Sequence, residues 1–194
     1  MSEQAKWILK LWKEKMIAQL GQEGFDKYQK ELLEDGKALH SCIASFLLKQ
    51  EFEVPTHIVP TFDSLNNVFN DISDVLTIET SVVHPKLAYK GIVDCIATYR
   101  GRRYVIDWKK SDKPKLTIEK TYDAPIQLAA YIGAINSYMG YPFTIDSGLV
   151  IVAYTNGDPA TIHEVRNDNL QKYWNKWLMK LKEYHSKHNT LLVP

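Results

Sequence analysis

Two aspartates and one lysine are spaced so that a β-hairpin would bring their side chains together. Asp94 lies in one apolar segment, Asp107 and Lys109 lie in the next, and Arg100 and Gly101 separate the two. A two-residue loop that contains glycine suits a tight hairpin turn. If the residues on either side of that loop face each other, Asp94 falls opposite Asp107. Lys109 then shares the face of Asp107, because side chains alternate along a strand.

The chemistry predicted for such a site is that of a divalent metal. Carboxylates opposite each other on an antiparallel pair have Cβ atoms about 4.5–5.5 Å apart, and like charges at that spacing destabilise the sheet. A cation between them removes the repulsion, and oxygen ligands suit Mg²⁺ or Mn²⁺. Such a metal can activate water and stabilise the charge that develops on a phosphodiester, while the lysine steadies that charge or positions the water.

The same three residues also fit an ordinary sheet surface, with two solvated aspartates and a salt bridge from Lys109. The flanking residues favour the site, because apolar side chains would point to both faces of each strand. Strands of that kind are expected to be buried, and buried carboxylates need partners. A three-residue loop would shift the pairing by one position and weaken this argument.

The remaining segments predict an α/β fold in which a central mixed β-sheet is flanked by α-helices. Residues 76–83 and 147–154 are predicted strands, and helices are predicted near 64–74, after Asp123 and over about 167–186. A helical crossover joins the hairpin to the strand at 147–154, so that strand should run parallel to a hairpin strand. An apolar stripe through residues 7–20 predicts a packed helix that ends at Gly21, and further helices, broken at Gly36, are expected before residue 52.

Three segments resemble the D…DxK…QxxxY set of PD-(D/E)XK nucleases of the RecB-like branch. They are Gly91–Asp94, Val105–Lys109 and Gln127–Tyr131. The resemblance implies a PD-(D/E)XK nuclease core with Asp94, Asp107 and Lys109 as catalytic residues and Mg²⁺ or Mn²⁺ as cofactor. It also places Gln127 and Tyr131 beside the substrate phosphate or base. A solvent-facing polar pair on a helix would show the same spacing.

The resemblance implies two more metal ligands beside the two aspartates. His40 matches the histidine that binds the metal in the family, and the backbone carbonyl of Trp108 completes the set. A lone helical histidine is more often structural. Many relatives carry a glutamate four residues after this histidine where the chain has Ala44, so a second ligand from the helix is not implied. Glu79, in the strand at 76–83, is a candidate neighbour of the metal.

Charge favours a nucleic-acid ligand only locally. The formal net charge of the chain is +1, but residues 100–120 contain eight lysines and arginines against three acidic residues. A solvated loop is the commoner meaning of such a run. The lysines predicted to contact phosphates are Lys110, Lys113 and Lys115. The aromatic side chains that could stack on the bases of a single strand are Tyr89, Trp108 and Tyr122.

The resemblance covers most of the chain and extends to exonucleases of mitochondrial DNA maintenance. It implies single-stranded DNA or DNA flaps as the substrate and a mitochondrial location. Two alternatives stay open. One is a nuclease of the same fold that acts on duplex DNA or RNA, and the other is a DNA-binding module without catalysis, against which the intact Asp94, Asp107 and Lys109 argue.

Length and composition predict one nuclease domain over residues 1–194, with N-terminal helices in 1–52 and a catalytic core at about 75–155. No apolar run has membrane-spanning length, so no membrane partner is expected. Cys42 and Cys95 lack metal or redox spacing and are expected to be buried thiols. The N-terminus resembles neither a signal peptide nor a transit segment, so any presequence is expected to lie outside this chain.

Overall fold

A long helical segment, α1 (Glu3–Leu47), opens the computed structural model, which describes residues 3–138 and 142–188. The described residues up to Leu39 form one unit, and those from His40 onward form a second. Within the first unit α1 is broken at Gly21, whose φ of 72° and ψ of 169° are not helical. The predicted end at Gly21 is therefore confirmed as a kink. The predicted break at Gly36 is wrong, since α1 runs on to Leu47, and a single glycine costs a helix only about 1 kcal/mol.

The apolar stripe in the first part of α1 is exposed rather than packed. Trp7 is 61% exposed, and Leu11 and Leu20 are 44% and 46% exposed. Trp12 and Phe25 make an edge-to-face contact across the kink, with ring centroids 5.9 Å apart. The prediction that this stripe packs in a core is wrong at Trp7, Leu11 and Leu20. Helical periodicity shows which residues share a face, but it does not show what packs against that face.

The second unit begins with the last turns of α1 and a short aromatic layer. A 3₁₀ turn (Thr56–Ile58) leads to the short helices α2 (Val59–Asp63) and α3 (Asn66–Phe69). The helix predicted at 64–74 is thus limited to one turn, because strand β1 begins at Ile72. Aromatic rings cluster in this layer within 4.4–6.5 Å of one another, and they belong to Phe46, Phe52, Phe62, Phe69 and Trp108.

A five-stranded mixed sheet forms the centre of the second unit, as predicted. The strands are β1 (Ile72–His84), β2 (Tyr89–Tyr99), β3 (Arg102–Ser111), β4 (Ser147–Tyr154) and β5 (Thr161–Arg166), in that spatial order. Neighbouring strands are antiparallel except β3 and β4, whose predicted parallel pairing is confirmed. Strand β5 was not predicted from the sequence, since it has only six residues and a short apolar pattern at the sheet edge.

The hairpin of β2 and β3 has the predicted register. Tyr99 pairs with Arg102, and the ladder continues to Cys95 opposite Ile106. Arg100 and Gly101 both have positive φ, 48° and 81°, as a two-residue turn that matches the twist of the strands requires. The turn therefore sets which residues of β2 and β3 lie side by side.

Helix α4 (Ala124–Ser137) connects β3 to β4 and packs on the sheet, while α5 (Asn167–His188) packs on α4. Buried side chains of α4, including Leu128, Ile132 and Ile135, join those of the strands in one apolar core. The α/β arrangement expected from the sequence is confirmed. Cys42 and Cys95 are both buried free thiols, as predicted.

Among the described residues, no helix combines the length and the apolar character needed to cross a membrane.

Candidate metal and catalytic site

Three carboxylates lie in one row across the first three strands. The ladder pairs Ile78 with Cys95 and Thr80 with Val93, so Glu79 occupies the position opposite Asp94. On the other side of β2, Cys95 pairs with Ile106 of β3, so the next position along the two strands places Asp94 beside Asp107. There the backbone N–H of Trp108 donates to Asp94 Oδ2 at 2.8 Å. The hairpin therefore brings the two predicted aspartates together.

Asp107 is a buried carboxylate with an unusual environment. Its side chain is 1% exposed, and Lys109 Nζ donates to Oδ1 at 2.8 Å and lies 2.7 Å from Oδ2. The contact with Oδ2 lacks hydrogen-bond geometry, so this oxygen has no hydrogen-bond partner among the described residues. Burial raises the pKa of Asp107 to about 6; the Lys109 ammonium opposes that rise, and the Asp94 carboxylate adds to it.

His40 lies next to Glu79 and Asp94, at the end of the row away from Asp107. Its Nδ1 lies 3.4 Å from Glu79 Oε1 and 3.7 Å from Asp94 Oδ2. Ligand atoms from His40, Glu79 and Asp94 all fall within 4.8 Å of one another, a spacing that fits one cation. Asp107 is not a member of this group, although both Asp94 and His40 influence its pKa. The structure thus groups two predicted ligands with Glu79.

Glu79, which the sequence suggested only as a neighbour of the metal, has an unusual backbone conformation. Its φ is 47°, in the left-handed region that residues other than glycine rarely adopt, although it lies inside a strand. The hydroxyl groups of Thr77 and Thr80, on either side of it, contact each other. Strained backbone of this kind concentrates at functional sites. Strand propensity carries no signal for such a distortion, so the sequence could offer Glu79 only as a candidate neighbour of the metal.

Gln127 and Tyr131 extend the site along α4. Gln127 Nε2 donates to the Tyr131 hydroxyl at 2.6 Å, and Gln127 Oε1 lies 3.5 Å from Lys109 Nζ. Burial raises the pKa of Tyr131 to about 12, with the negative charges of Asp107 and Asp94 adding to the shift. A continuous chain of polar contacts therefore runs from Asp107 through Lys109 and Gln127 to Tyr131.

The aromatic residues proposed for base stacking differ in exposure. The Trp108 ring is 2% exposed and packs near Phe69, so the suggestion that it stacks on a base is wrong. Tyr89 is partly buried, and its hydroxyl donates to the Ala130 carbonyl at 2.8 Å. Tyr122 is 78% exposed. Of these three rings, only that of Tyr122 presents most of its surface to solvent.

The three lysines of the basic segment are not equivalent. Lys110 follows Lys109 in β3 and alternates onto the face opposite Asp107. Lys113 and Lys115 lie in the loop after β3, and Lys115 Nζ is 4.6 Å from the centroid of the Tyr122 ring. Strand alternation therefore turns Lys110 away from the face of Asp107, while Lys115 contacts Tyr122 in the loop.

Comparison with known proteins agrees with the resemblance seen in the sequence. The sequence model of the PD-(D/E)XK nuclease superfamily matches residues 2–189. Relatives in three vertebrates are each called mitochondrial genome maintenance exonuclease 1. Identity is 40% over 197 residues for Mus musculus, covering 100% of this chain and 58% of the relative.

The other two relatives give a similar picture. For Xenopus tropicalis the identity is 43% over 188 residues, with 95% and 54% of the two chains covered. For Homo sapiens it is 39% over 191 residues, with 96% and 56% covered. The chain therefore spans little more than half the length of the curated relatives it matches.

Proposed function

Because the chain belongs to the PD-(D/E)XK nuclease superfamily, we propose that it is a metal-dependent exonuclease that hydrolyses phosphodiester bonds in DNA. The proposed substrate is single-stranded DNA, including the ends and flaps of longer molecules, and the setting is mitochondrial DNA replication and maintenance. The names of the relatives support the exonuclease and mitochondrial parts. The exposed Tyr122 ring supports the single strand, because stacking on a side chain requires an unpaired base.

The grouping of His40, Glu79 and Asp94 ligand atoms next to the buried Asp107 carboxylate is the observation that carries this proposal. Asp107 Oδ2 is buried without a hydrogen bond although the Lys109 ammonium lies 2.7 Å away, so this oxygen keeps lone pairs with which to bind a second cation. The donor set of one imidazole and several carboxylates fits Mn²⁺ or Mg²⁺. We propose His40, Glu79, Asp94 and Asp107 as ligands, together with the Trp108 carbonyl. When bound, the cation polarises the phosphoryl oxygen and acidifies water.

Lys109 is proposed to hold the charge of the scissile phosphate. Its ammonium is fixed by Asp107 on one side and approaches Gln127 Oε1 on the other. An ammonium has three N–H donors, so one remains to bond a phosphate oxygen. A donor held in this way would be in place before the substrate binds, and preorganised donors usually make the largest single contribution to transition-state stabilisation.

Tyr131 is proposed to donate a second hydrogen bond to the phosphate. With a pKa of about 12 its hydroxyl keeps its proton at neutral pH. Since Gln127 already donates to the hydroxyl oxygen, the hydroxyl proton is directed away from Gln127. Gln127 and Tyr131 would thus orient the strand while Asp107 and Lys109 act at the reacting phosphate.

A substrate panel tests the proposal. Labelled single-stranded, flapped, duplex and circular single-stranded DNA, with a matched RNA, are incubated with Mg²⁺, with Mn²⁺ and with EDTA, and products are resolved on a gel. We expect cleavage of linear single strands and flaps only with metal, and none by Asp107→Asn. Cleavage in EDTA would contradict the metal site.

The other outcomes separate the alternatives. Cleavage of the circle would show that no free end is needed and would overturn the exonuclease assignment. A preference for duplex DNA or RNA would move the protein to another substrate class. Binding without any cleavage would leave a DNA-binding module that shares the fold.

A further inference from the structure

Tyr122 has an unusual backbone for an exposed residue. Its φ of 58° and ψ of −116° lie outside the regions that side-chain-bearing residues prefer, directly after the 3₁₀ turn Ile118–Thr121. Its backbone N–H donates to the Glu119 carbonyl at 3.3 Å. Such a conformation persists only where the surrounding structure enforces it. The effect here is to project an aromatic ring into solvent.

Lys115 lies against this ring, and its backbone is fixed from below by buried side chains. The Lys115 N–H donates to the Tyr154 hydroxyl at 2.9 Å, and the Lys115 carbonyl accepts from His163 Nε2 at 2.7 Å. Both Tyr154 and His163 are buried. Tyr154 of β4 and His163 of β5 therefore both form hydrogen bonds with the backbone of Lys115 in the surface loop.

The rest of the loop is held in the same way. Ser111, also buried, donates its hydroxyl to the Lys113 carbonyl at 2.8 Å and accepts from the Lys113 N–H at 3.2 Å. At the far end Thr121 Oγ1 donates to the Ile118 carbonyl at 2.6 Å. A loop that only connected β3 to α4 would not need these bonds, and rigid loops cost less entropy when they bind a ligand.

The loop connects two elements that carry residues of the site. It leaves β3 just after Lys109, and it returns through Tyr122 to α4, where Gln127 approaches Lys109 Nζ. Four residues lie between Tyr122 and Gln127, and the last three of them, Ala124 to Ile126, belong to the first turn of α4. Lys180 of α5 donates to Asp123 at 2.6 Å and fixes the start of this helix.

We propose that Tyr122 and Lys115 form a stacking station for one unpaired nucleobase and its phosphate, next to the nucleotide that is cleaved. The ammonium of Lys115 lies over the ring, so the base stacks on the other face while Lys115 binds the phosphate. The station holds the single strand in register with Lys109 and Gln127. This inference rests on the proposed nuclease function and assigns a new binding subsite to it.

The test measures binding without cleavage. The full chain carries Asp107→Asn, and fluorescence anisotropy in EDTA follows its affinity for a labelled oligothymidine with one abasic sugar placed at successive positions. Loss of one stacked base weakens binding by roughly 5- to 100-fold. We expect a loss of this size at one abasic position, and the same loss for Tyr122→Ala on the intact oligonucleotide.

Matched variants isolate the ring. Tyr122→Phe should retain the affinity of the parent. Tyr138→Ala, which removes another exposed tyrosine (59% exposed, against 78% for Tyr122) from the other end of α4, should also bind like the parent. In Tyr122→Ala the abasic sugar should have no further effect at the sensitive position. Melting temperatures check that each variant is folded.

Failure of the station and failure of the function are distinguishable. If the parent binds the oligonucleotide but Tyr122→Ala binds as tightly as Tyr138→Ala, the station is overturned and the nuclease proposal stands. If the parent binds no oligonucleotide, both are overturned. A sensitive abasic position that persists unchanged in Tyr122→Ala would place the stacked base on another ring.

Discussion

At the scale of single residues, Asp107 links stability to the proposed chemistry. Its pKa is raised from an ordinary value near 4 in the unfolded chain to about 6 in the fold. Between these two pH values the folded state therefore holds a proton that the unfolded chain has released. The metal-free protein therefore loses stability as the pH rises from about 4 to about 6, and the loss persists above that range. Below about pH 4 the carboxyl is neutral in both states and the penalty vanishes.

Removing this charge should stabilise the metal-free protein. At pH 7 in EDTA, Asp107→Asn is expected to raise the free energy of unfolding by roughly 1–3 kcal/mol. This range is the free-energy cost of ionising Asp107 in the fold, reduced by the loss of its ion pair with Lys109. Urea denaturation at pH 4 and pH 7 measures it, and the difference should disappear at the lower pH. Asp112→Asn, in the exposed part of the following loop, is the control. A less stable Asp107→Asn at pH 7 would contradict the burial penalty.

His40 and Glu79 make separate predictions about metal affinity. Removing one ligand weakens a site whose other ligands remain, so His40→Ala and Glu79→Gln should each raise the Mn²⁺ concentration for half-maximal cleavage by about tenfold or more. Metal-free melting temperatures should change little. His57→Ala, an exposed histidine outside the group, is the control. A titration curve that does not move in Glu79→Gln would remove this residue from the ligand set.

At the scale of elements, the approach of β2 to α4 positions Tyr131. A Cβ at Gly91 would lie 2.5 Å from Tyr131 Cε1, so only glycine allows the ring its place. Gly91 does not have a positive φ, so alanine is disfavoured here by space alone. The strand that carries Asp94 thus also sets the position of a side chain on the opposing helix.

Gly91→Ala should therefore impair the reaction through Tyr131. The added methyl displaces the ring and breaks the hydrogen bond from Gln127, so kcat/KM for single-stranded DNA is expected to fall about tenfold. Tyr131→Phe should lose a similar amount. Because both changes remove the same interaction, the double variant should be little worse than either single one. Additive losses in this double-mutant cycle would show that Gly91 acts by another route.

The elements also show what the sequence could predict. The hairpin register followed from one local feature, a two-residue turn with glycine, and it sufficed to place Asp94, Asp107 and Lys109. The distortion at Glu79 had no such signal, because its residue type does not favour the left-handed backbone that it adopts. The burial of the Trp108 ring depended on the aromatic layer around Phe69, and long-range packing of this kind is not encoded in local periodicity.

At the scale of the whole molecule, any affinity for nucleic acid must be local, because the net charge is only +1. Phosphate contacts release counterions, so binding should weaken with salt in proportion to the number of contacts. A Lys113→Glu, Lys115→Glu variant is expected to lower the slope of log affinity against log salt by about one to two. Fluorescence anisotropy measures this slope between about 50 and 200 mM salt, where the affinity of phosphate contacts falls steeply. An unchanged slope would place the DNA away from this loop.

The irregular backbone of β1 has a consequence for how the protein behaves in solution. β1 is a thirteen-residue strand at the edge of the sheet, and a long regular edge is a template for pairing with another chain. Asp74 and Glu79, with φ of 44° and 47°, interrupt it at two acidic positions. Bulges and charges are the means by which proteins protect sheet edges from aggregation. The distorted acidic stretch that carries Glu79 next to His40 is therefore also expected to discourage the pairing of β1 with a strand of another molecule.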